Sequence, residues 1–164
     1  MSATTSVDDR LAAVEARLRR VEDELAITRL VLSYGPAVDS GSAEATAALW
    51  DDGGRYDFQD GAPVIEGSAA MASMVRSPGH RAHLARGCAH VLTAPAVRVD
   101  GDRAVALCYS LMHHYVSETG IFQVSRVSAN RWELVRGPSG WRVGSRVNRL
   151  LTGDEAARAL LAGG

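Results

Sequence analysis

The sequence predicts an α+β fold, a cone-shaped α+β barrel in which a curved antiparallel sheet wraps around N-terminal helices and encloses a pocket. Three observations support this class. Helical periodicity is concentrated in the first half of the chain, strand-like runs separated by turn residues occupy the second half, and several of these runs exceed ten residues. Helices that precede a strand meander must cover one face of the sheet, and long strands bend. A bent sheet beneath helices leaves a concavity in which a ligand can bind.

The composition indicates one globular domain. The chain has 164 residues and a formal net charge of −1, from 18 basic and 19 acidic residues, which argues against nucleic acid and anionic membranes as partners. The start MSATTSVDD lacks the pattern of a signal peptide, and no apolar run approaches the ~18 residues of a membrane span. Cys88 and Cys108 form no CxxC pair. We therefore expect a cytoplasmic protein with reduced thiols.

The first 25 residues are expected to form a frayed tail followed by an amphipathic helix. Apolar residues recur in alternating steps of three and four, at Leu11, Val14, Leu18, Val21 and Leu25. This stripe predicts either a helix that lies on its own domain or a helix that contacts another copy, giving a homo-oligomer such as a dimer or trimer. The sequence leaves both alternatives open.

The other elements of the first half follow from capping and breaking residues. The helical pattern continues to Tyr34, and Gly35-Pro36 is expected to kink or restart it because proline removes a backbone donor. Beyond this point the sequence predicts a helix over 43–50 capped by Ser42, a strand over 55–59, a turn at Asp60-Gly61, a return strand over 64–65, and a helix over 68–75 that Ser77-Pro78-Gly79 breaks.

From His90 onward the sequence has the character of strands. Turn residues at 100–102, 118–120 and 137–140 separate four runs. Three consecutive hairpins make an antiparallel meander, and a short helix is expected within 153–164. The predicted strands span 90–99, 103–116, 121–136 and 141–151.

Asp39 and His90 are the candidate catalytic pair. Asp39 follows an apolar helical segment, and His90 opens a strand whose next two residues are apolar, so its ring is expected to face inward. A carboxylate that bonds one imidazole nitrogen fixes the tautomer and leaves the other nitrogen available as a base. The alternative for Asp39 is a structural turn or cap residue.

Other kinds of site have little support in the sequence. The five histidines show no HExxH or carboxylate–histidine signature, so no metal is expected. The chain contains no GxSxG, P-loop or GxGxxG motif, which argues against a serine hydrolase and against nucleotide binding. An epoxide hydrolase would need additional carboxylates poised on water, for which Asp57 is one candidate.

Four segments carry a family resemblance: residues 37–41 (AVDSG), 89–93 (AHVLT), 99–104 (VDGDRA) and 140–143 (GWRV). Together they resemble the SnoaL-like group of the nuclear transport factor two-like superfamily. The resemblance runs from about Ile27 to Leu150, so residues 26–152 are taken as the SnoaL-like domain. The nearest enzymes by this resemblance are scytalone dehydratase and hexachlorocyclohexane dehydrochlorinase.

The resemblance implies a set of site residues. In those enzymes an aspartate at the end of the first helix bonds a histidine on the sheet, and Asp39 and His90 occupy the matching places. Val38 and Phe58 stand where scytalone dehydratase has tyrosines, so dehydration of scytalone itself does not carry over. Alternation along the strand independently places Ser128, Asn130 and Trp132 on one face. The residues expected to bind the substrate are Tyr34, Phe58, His113, Ser128, Asn130, Trp132 and Arg146.

The predicted function is that of a cofactor-independent enzyme of the lyase or isomerase type, such as a dehydratase, isomerase or cyclase. His90, oriented by Asp39, would remove an activated C–H proton from a small apolar molecule such as a steroid, a polyketide intermediate or an aromatic. The alternative is a non-catalytic protein of the same fold that binds a small molecule or acts as a dimeric interaction module. Groups expected to steady the developing negative charge are Asn130, Ser128, His113 and Tyr34.

Overall fold

The computed structural model describes residues 6–58 and 62–163. Within these ranges the chain forms five helices and seven strands. The helices are α1 (Val7–Asp39), α2 (Ala43–Ala47), α3 (Ser68–Arg76), α4 (Pro78–Arg86) and α5 (Glu155–Ala162). The strands are β1 (Trp50–Asp57), β2 (Ile65–Glu66), β3 (Cys88–Leu92), β4 (Ala96–Asp100), β5 (Arg103–Val116), β6 (Ile121–Gly137) and β7 (Gly140–Leu150).

The strands form one curved, unclosed sheet, which together with the N-terminal helices confirms the predicted α+β fold. Their order is β2-β1-β7-β6-β5-β3, with β4 also paired to β5. Strands β5, β6 and β7 pair antiparallel, as the predicted hairpins require. Strand β1 runs parallel to β7, a pairing that the order of the turns could not reveal.

The core lies between the sheet and the helices that cover it. Its fully buried side chains include Ile27 of α1, Met71 of α3, and Trp132 and Leu134 of β6. Burying a large apolar side chain of this kind stabilises the fold by about 1.5–3 kcal/mol. The helices therefore cover one sheet face, as the order of helices and strands predicts.

Helix α1 continues through Pro36 without the predicted restart. Proline removes one backbone hydrogen bond here, because its nitrogen carries no proton. Gly35, Ala37 and Val38 are buried on either side of it. Their packing favours continuation of the helix, which ends at Asp39.

Two predicted boundaries in the first half were wrong. Helix α2 ends at Ala47, and β1 begins at Trp50, whose side chain is 3% exposed and packs in the core. Because this indole is buried, the strand includes Gly53 and Gly54, which the sequence suggested as the end of a helix. The predicted turn at Asp60-Gly61 lies outside the described residues.

Two further differences concern the segments that surround His90. Ser77-Pro78-Gly79 begins α4 instead of only ending α3: the Ser77 hydroxyl accepts the backbone N–H of His80 at 3.2 Å, and proline suits the first helical position. The predicted run over 90–99 is divided into β3 and β4. Pro95 lies in the interruption, where a residue without a backbone donor costs no ladder bond.

The N-terminal part of α1 is exposed on all sides, from Ser6 to Glu22. Leu11, Val14, Leu18 and Val21 are each more than half exposed. Further along, Asp23 attaches the helix to the sheet through two hydrogen bonds of 2.7 Å from Arg136. No helix in the described ranges combines the length and the apolar character needed to cross a membrane.

Candidate active site

A cavity of about 350 Å³ lies between the helices and the sheet. Residues from α1, α3, α4 and from six strands reach it, and so does the loop after β1. The side chains are a mixture of aromatic, aliphatic, polar and basic groups. The described residues that line it are Tyr34, Tyr56, Phe58, Ile65, Met74, Ser77, Gly79, His80, His83, His90, Ser110, Met112, Arg126, Ser128, Arg146 and Asn148.

His90 and Asp39 form a close pair at the wall of this cavity. His90 Nδ1 lies 2.6 Å from Asp39 Oδ1, and the backbone N–H of His90 donates to Asp39 Oδ2 at 2.7 Å. The two side chains are 17% and 23% exposed, respectively. A carboxylate on Nδ1 favours the tautomer that carries its proton there, which leaves Nε2 as the basic nitrogen. The pair thus has the arrangement of an oriented general base.

Gly35 explains why the two residues meet. A Cβ atom at this position would lie 2.2 Å from the backbone oxygen of His90, so α1 rests directly on β3. Only glycine permits this approach. Asp39 follows four residues later, on the same face of the helix, and so it is carried to the same strand.

Arg146 is a buried cation enclosed by aromatic rings. Its side chain is 1% exposed, and its Nε donates to Asn130 Oδ1 at 2.9 Å. The guanidinium carbon lies 4.1 Å from the ring centres of Tyr34 and Trp132 and 4.5 Å from that of Tyr56. Cation–π attraction offsets part of the cost of burying this charge. Arg146 lines the cavity, and its buried Nη1 has no hydrogen-bond partner among the described residues, so this cation keeps an unused donor.

Tyr34 supplies a neutral hydroxyl in the same region. Burial raises the pKa of Tyr34 well above its usual value, and the neighbouring Tyr56 raises it further, against the opposing effect of Arg146. The phenol therefore stays protonated through the physiological range. The ring of Tyr34 also meets that of His90 edge-on, with 6.4 Å between the ring centres.

Five of the sequence-predicted site residues line the cavity together, and four others lie away from its surface. Asp39 is behind His90, and Asn130 and Trp132 lie beneath Arg146. The expectation that His113 faces the cavity is wrong, because it pairs with the residue before His90 and side chains alternate between sheet faces. The predicted residues at the cavity are Tyr34, Phe58, His90, Ser128 and Arg146.

Several cavity residues were not singled out from the sequence. His80 and His83 belong to α4, which the sequence analysis missed although serine followed by proline is a helix-start signal. Ser110 and Met112 share the sheet face of His90, since Met112 pairs directly with it across β3 and β5. That face could be identified only once the strand register was known.

The histidines of α4 pack against those of the sheet. His80 places its Nε2 2.9 Å from the Val38 carbonyl oxygen, and its ring stacks on His90 with 6.3 Å between centres. His83 stacks on His114 with 5.3 Å between centres. Helix α4 therefore packs His80 against His90 and His83 against His114 of β5.

One group of side chains has the composition of a metal site. A carboxylate oxygen of Asp39, the Cys88 sulfur and a ring nitrogen of His90 all lie within 4.8 Å of one another. Burial raises the pKa of the Cys88 thiol, and the Asp39 charge raises it further. A metal would have to displace that thiol proton and compete with the Asp39–His90 bond. The geometry thus suits the hydrogen-bonded pair better than a metal centre.

Asp57 is engaged in an ion pair. Its two oxygens accept from Arg149 at 2.8 and 2.6 Å, and the arginine holds the pKa of this carboxyl below its usual value. Asp57 is also not among the residues that line the cavity. The carboxylate considered for an epoxide hydrolase is therefore committed elsewhere.

The comparison with protein families identifies this architecture. The family model for the SnoaL-like domain matches residues 19–147. The chain belongs to the SnoaL-like family. This SnoaL-like chain is also 44% identical to a solved NTF2-like protein with a cystatin-like fold from Novosphingobium aromaticivorans, over 97% of this chain and 99% of that one, with a TM-score of 0.88. The superfamily inferred from the sequence is confirmed.

More distant solved structures share the fold of the SnoaL-like chain. A proposed aromatic ring hydroxylase from Novosphingobium aromaticivorans is 24% identical over 80% of this chain and 91% of that one, with a TM-score of 0.66. A proposed dehydratase of the NTF2-like family from Streptomyces avermitilis is 18% identical over 80% and 99%, with a TM-score of 0.63. No curated protein matches the chain. The particular resemblance to scytalone dehydratase and the dehydrochlorinase stays a prediction.

Proposed function

We propose that this SnoaL-like protein is an enzyme that removes a proton from carbon in a small organic substrate, leading to elimination, double-bond isomerisation or cyclisation. One observation carries the proposal: His90 Nδ1 lies 2.6 Å from a carboxylate oxygen of Asp39 while the same imidazole lines the cavity. A pair placed in this way holds a base toward a bound molecule. General acid–base chemistry of this kind needs no cofactor.

The reaction begins with proton transfer to His90 Nε2. The C–H electron pair stays on the substrate and delocalises onto an adjacent carbonyl oxygen, and Asp39 stabilises the imidazolium that forms. Arg146 lines the cavity, and its Nη1 lacks a partner among the described residues, so its guanidinium is suited to donate to that oxygen. The enolate then either expels a leaving group from the next carbon, takes the proton back at a different carbon, or attacks a second carbonyl.

The cavity size narrows the candidate substrates. Its volume of about 350 Å³ lies near the lower end of the roughly 300–1,000 Å³ found for small-molecule pockets. A one- or two-ring aromatic or a short polyketide intermediate suits this volume better than a steroid. The name of the distant relative from Streptomyces avermitilis, a proposed dehydratase, is in keeping with an elimination.

A non-catalytic carrier is the competing proposal. A carrier requires a cavity of suitable shape but has no use for a carboxylate directed at an imidazole nitrogen. The 2.6 Å contact between Asp39 and His90 therefore supports the enzyme. The free thiols of Cys88 and Cys108 are in keeping with a reaction in the cytoplasm.

The experiment is a screen of β-hydroxy ketones, β,γ-unsaturated ketones and diketones, followed by kinetics on the best substrate. His90→Gln and Asp39→Asn are each expected to lower kcat by about 10²–10⁴-fold, the usual contribution of a positioned base. Asp100→Asn, an exposed aspartate at the end of β4, is the matched control. Turnover that is unchanged in both dyad variants would overturn the proposal.

A further inference from the structure

We propose that the substrate of this cavity is an organic acid, and that Arg126 binds its carboxylate. This inference rests on the proposed function for the reaction, but its evidence is the charge of the cavity wall. The described lining residues include two guanidinium groups, of Arg126 and Arg146, and three imidazoles, of His80, His83 and His90. The described part of this lining contains no carboxylate.

Arg126 lies in the same row of the sheet as the base. It pairs with Met112 across β5 and β6, and Met112 pairs with His90 across β5 and β3. Directly paired residues share a sheet face, so Arg126 and His90 face the cavity two strands apart, about 10 Å at the backbone. A molecule that reaches both side chains therefore lies across Met112.

Arg126 has a neutral hydrogen-bond partner, whereas several other arginines in the described part of the chain pair with carboxylates. Its guanidinium donates to the Met112 thioether, and within the described ranges no carboxylate forms an ion pair with it. Arg136, by comparison, is paired with Asp23 and Asp102. A partly buried cation whose neighbour is a weak sulfur acceptor is available for a stronger, charge-assisted bond.

The surroundings of Arg126 add to the positive potential. Ser77 and Gly79, at the start of the nine-residue helix α4, also line the cavity, and a helix N-terminus attracts negative charge. A carboxylate placed here is therefore attracted by the N-terminus of α4 as well as by the guanidinium of Arg126.

The test compares binding of arylacetates and arylpropionates with their neutral primary amides, measured by calorimetry on the His90→Gln protein. Because this variant lacks the base, binding is measured apart from catalysis, and failure of one proposal is distinguishable from failure of the other. The acids are expected to bind about 10-fold more tightly than the amides. Arg126→Gln should remove this preference, while Arg98→Gln, an exposed arginine on β4, should retain it.

Three results would overturn the assignment. Amides that bind as tightly as the acids would show that charge is not recognised. A preference for acids that persists in Arg126→Gln would move the site to another residue, such as Arg146. The absence of binding by any of the acids would reject the ligand class.

A second inference concerns the exposed stripe on α1. We infer that this stripe packs against the same stripe of another copy of the chain, in a parallel coiled coil. Seven apolar side chains of α1 are between 39% and 78% exposed. In heptad notation, six of the seven alternate between positions a and d without interruption, and the seventh, Leu32, is a further a position. They are Val7, Leu11, Val14, Leu18, Val21, Leu25 and Leu32.

The domain lies on a different side of the helix from this stripe. Asp23, which takes position f, is the residue that hydrogen-bonds Arg136 and Trp141 of the sheet. Ile27 and Val31, at positions c and g, are fully buried. The a and d positions therefore face away from the domain, and helices from two copies can meet with the domains on the outside.

The charges beside the stripe select the parallel orientation. In a parallel coiled coil, position g of one helix faces position e five residues later in its partner. The facing pairs are then Arg10 with Glu15, Arg17 with Glu22, and Glu24 with Arg29, and all three are of opposite sign. An antiparallel arrangement centred on this segment would bring position e residues together, and three of these are acidic.

The assembly is tested by light scattering and by charge exchange. The wild-type protein is expected to have the mass of at least two chains, and leucine at a with a β-branched residue at d favours more than two. Leu18→Glu should give a folded monomer, whereas Arg19→Glu, at the outward position b, should not dissociate it. Arg17→Glu should weaken association at least 10-fold, and the double variant Arg17→Glu/Glu22→Arg should restore it.

Contrary results are equally specific. A monomeric wild-type protein, or an oligomer that survives Leu18→Glu, would reject the helix as the interface. Association that is unaffected by Arg17→Glu would reject the parallel orientation. Circular dichroism on each variant checks that the α+β domain remains folded.

Discussion

Gly35→Ala changes the active site without touching a reactive group. The added methyl would lie 2.2 Å from the backbone oxygen of His90, where an ordinary contact is at least 3.4 Å. The obstructing atom belongs to the backbone of β3, so α1 must move away by about 1 Å. Asp39 is on the same helix face one turn later and would move with it.

The expected effects on stability and on catalysis differ in size. Overpacking costs about 1–3 kcal/mol, and replacing glycine by alanine within a helix returns about 1 kcal/mol, so the net loss of folding free energy is small. No comparable gain offsets the displacement of Asp39 from His90, whose atoms are 2.6 Å apart in the wild-type protein. Since a displacement of about 1 Å can cost 10²-fold in rate, kcat should fall by about that factor.

The assay combines denaturant unfolding, kinetics and ¹⁵N spectra of the His90 ring. In the wild-type protein Nδ1 should carry the proton, and in Gly35→Ala the ring should sample both tautomers. Gly53→Ala is the control, because a Cβ there meets nothing within 4 Å. A Gly35→Ala protein with wild-type kcat and an unchanged His90 spectrum would refute the reasoning.

Three further predictions concern charged groups, two of them at the candidate active site and one where α1 contacts the sheet. Asn130→Asp should pair with the buried Arg146 and lower kcat by about 10²-fold, as measured by steady-state kinetics; an unchanged kcat would exclude Arg146 as the anion-stabilising group. The raised pKa of Cys88 comes first from burial and then from Asp39, so Asp39→Asn should speed alkylation of Cys88 by iodoacetamide, followed by mass spectrometry. The pKa of Asp23 is lowered by its hydrogen bond with an arginine of β6, so its contribution to stability is complete above the ordinary value near 3.9 and is lost as the pH falls through the lower folded value. The stability gap between wild type and Asp23→Asn should therefore narrow in acid, as measured by urea unfolding; a gap independent of pH would contradict this.

The second half of the fold could be predicted because its turns are explicit. Glycine-containing turns at 100–102 and 118–120 match the ends of β5 within one residue or so. The period-two pattern correctly grouped Ser128, Asn130 and Trp132 on one face of β6. The parallel pairing of β1 with β7 was beyond reach, since no local signal links strands nearly ninety residues apart. Trp50 was assigned to a helix because alanines precede it, although burial of the indole draws it into the sheet.

The candidate site was predictable in part. Asp39 and His90 were identified from context and family resemblance, but the reason that they meet, the close approach at Gly35, depends on the packing of two elements. Glycine followed by proline looked like a helix break, so its packing role was hidden. Arg126 was not singled out, although the alternation that places Ser128, Asn130 and Trp132 on one sheet face places Arg126 there too.

Deuterium uptake from D₂O tests proton abstraction by His90 most directly. A bound ketone of the screened panel is incubated with the enzyme near neutral pH, and exchange at the carbon next to its carbonyl is followed by NMR. The account predicts exchange with the wild-type protein that slows by about 10² or more in His90→Gln and in Asp39→Asn. Exchange at the same rate in the wild-type and His90→Gln proteins would contradict it.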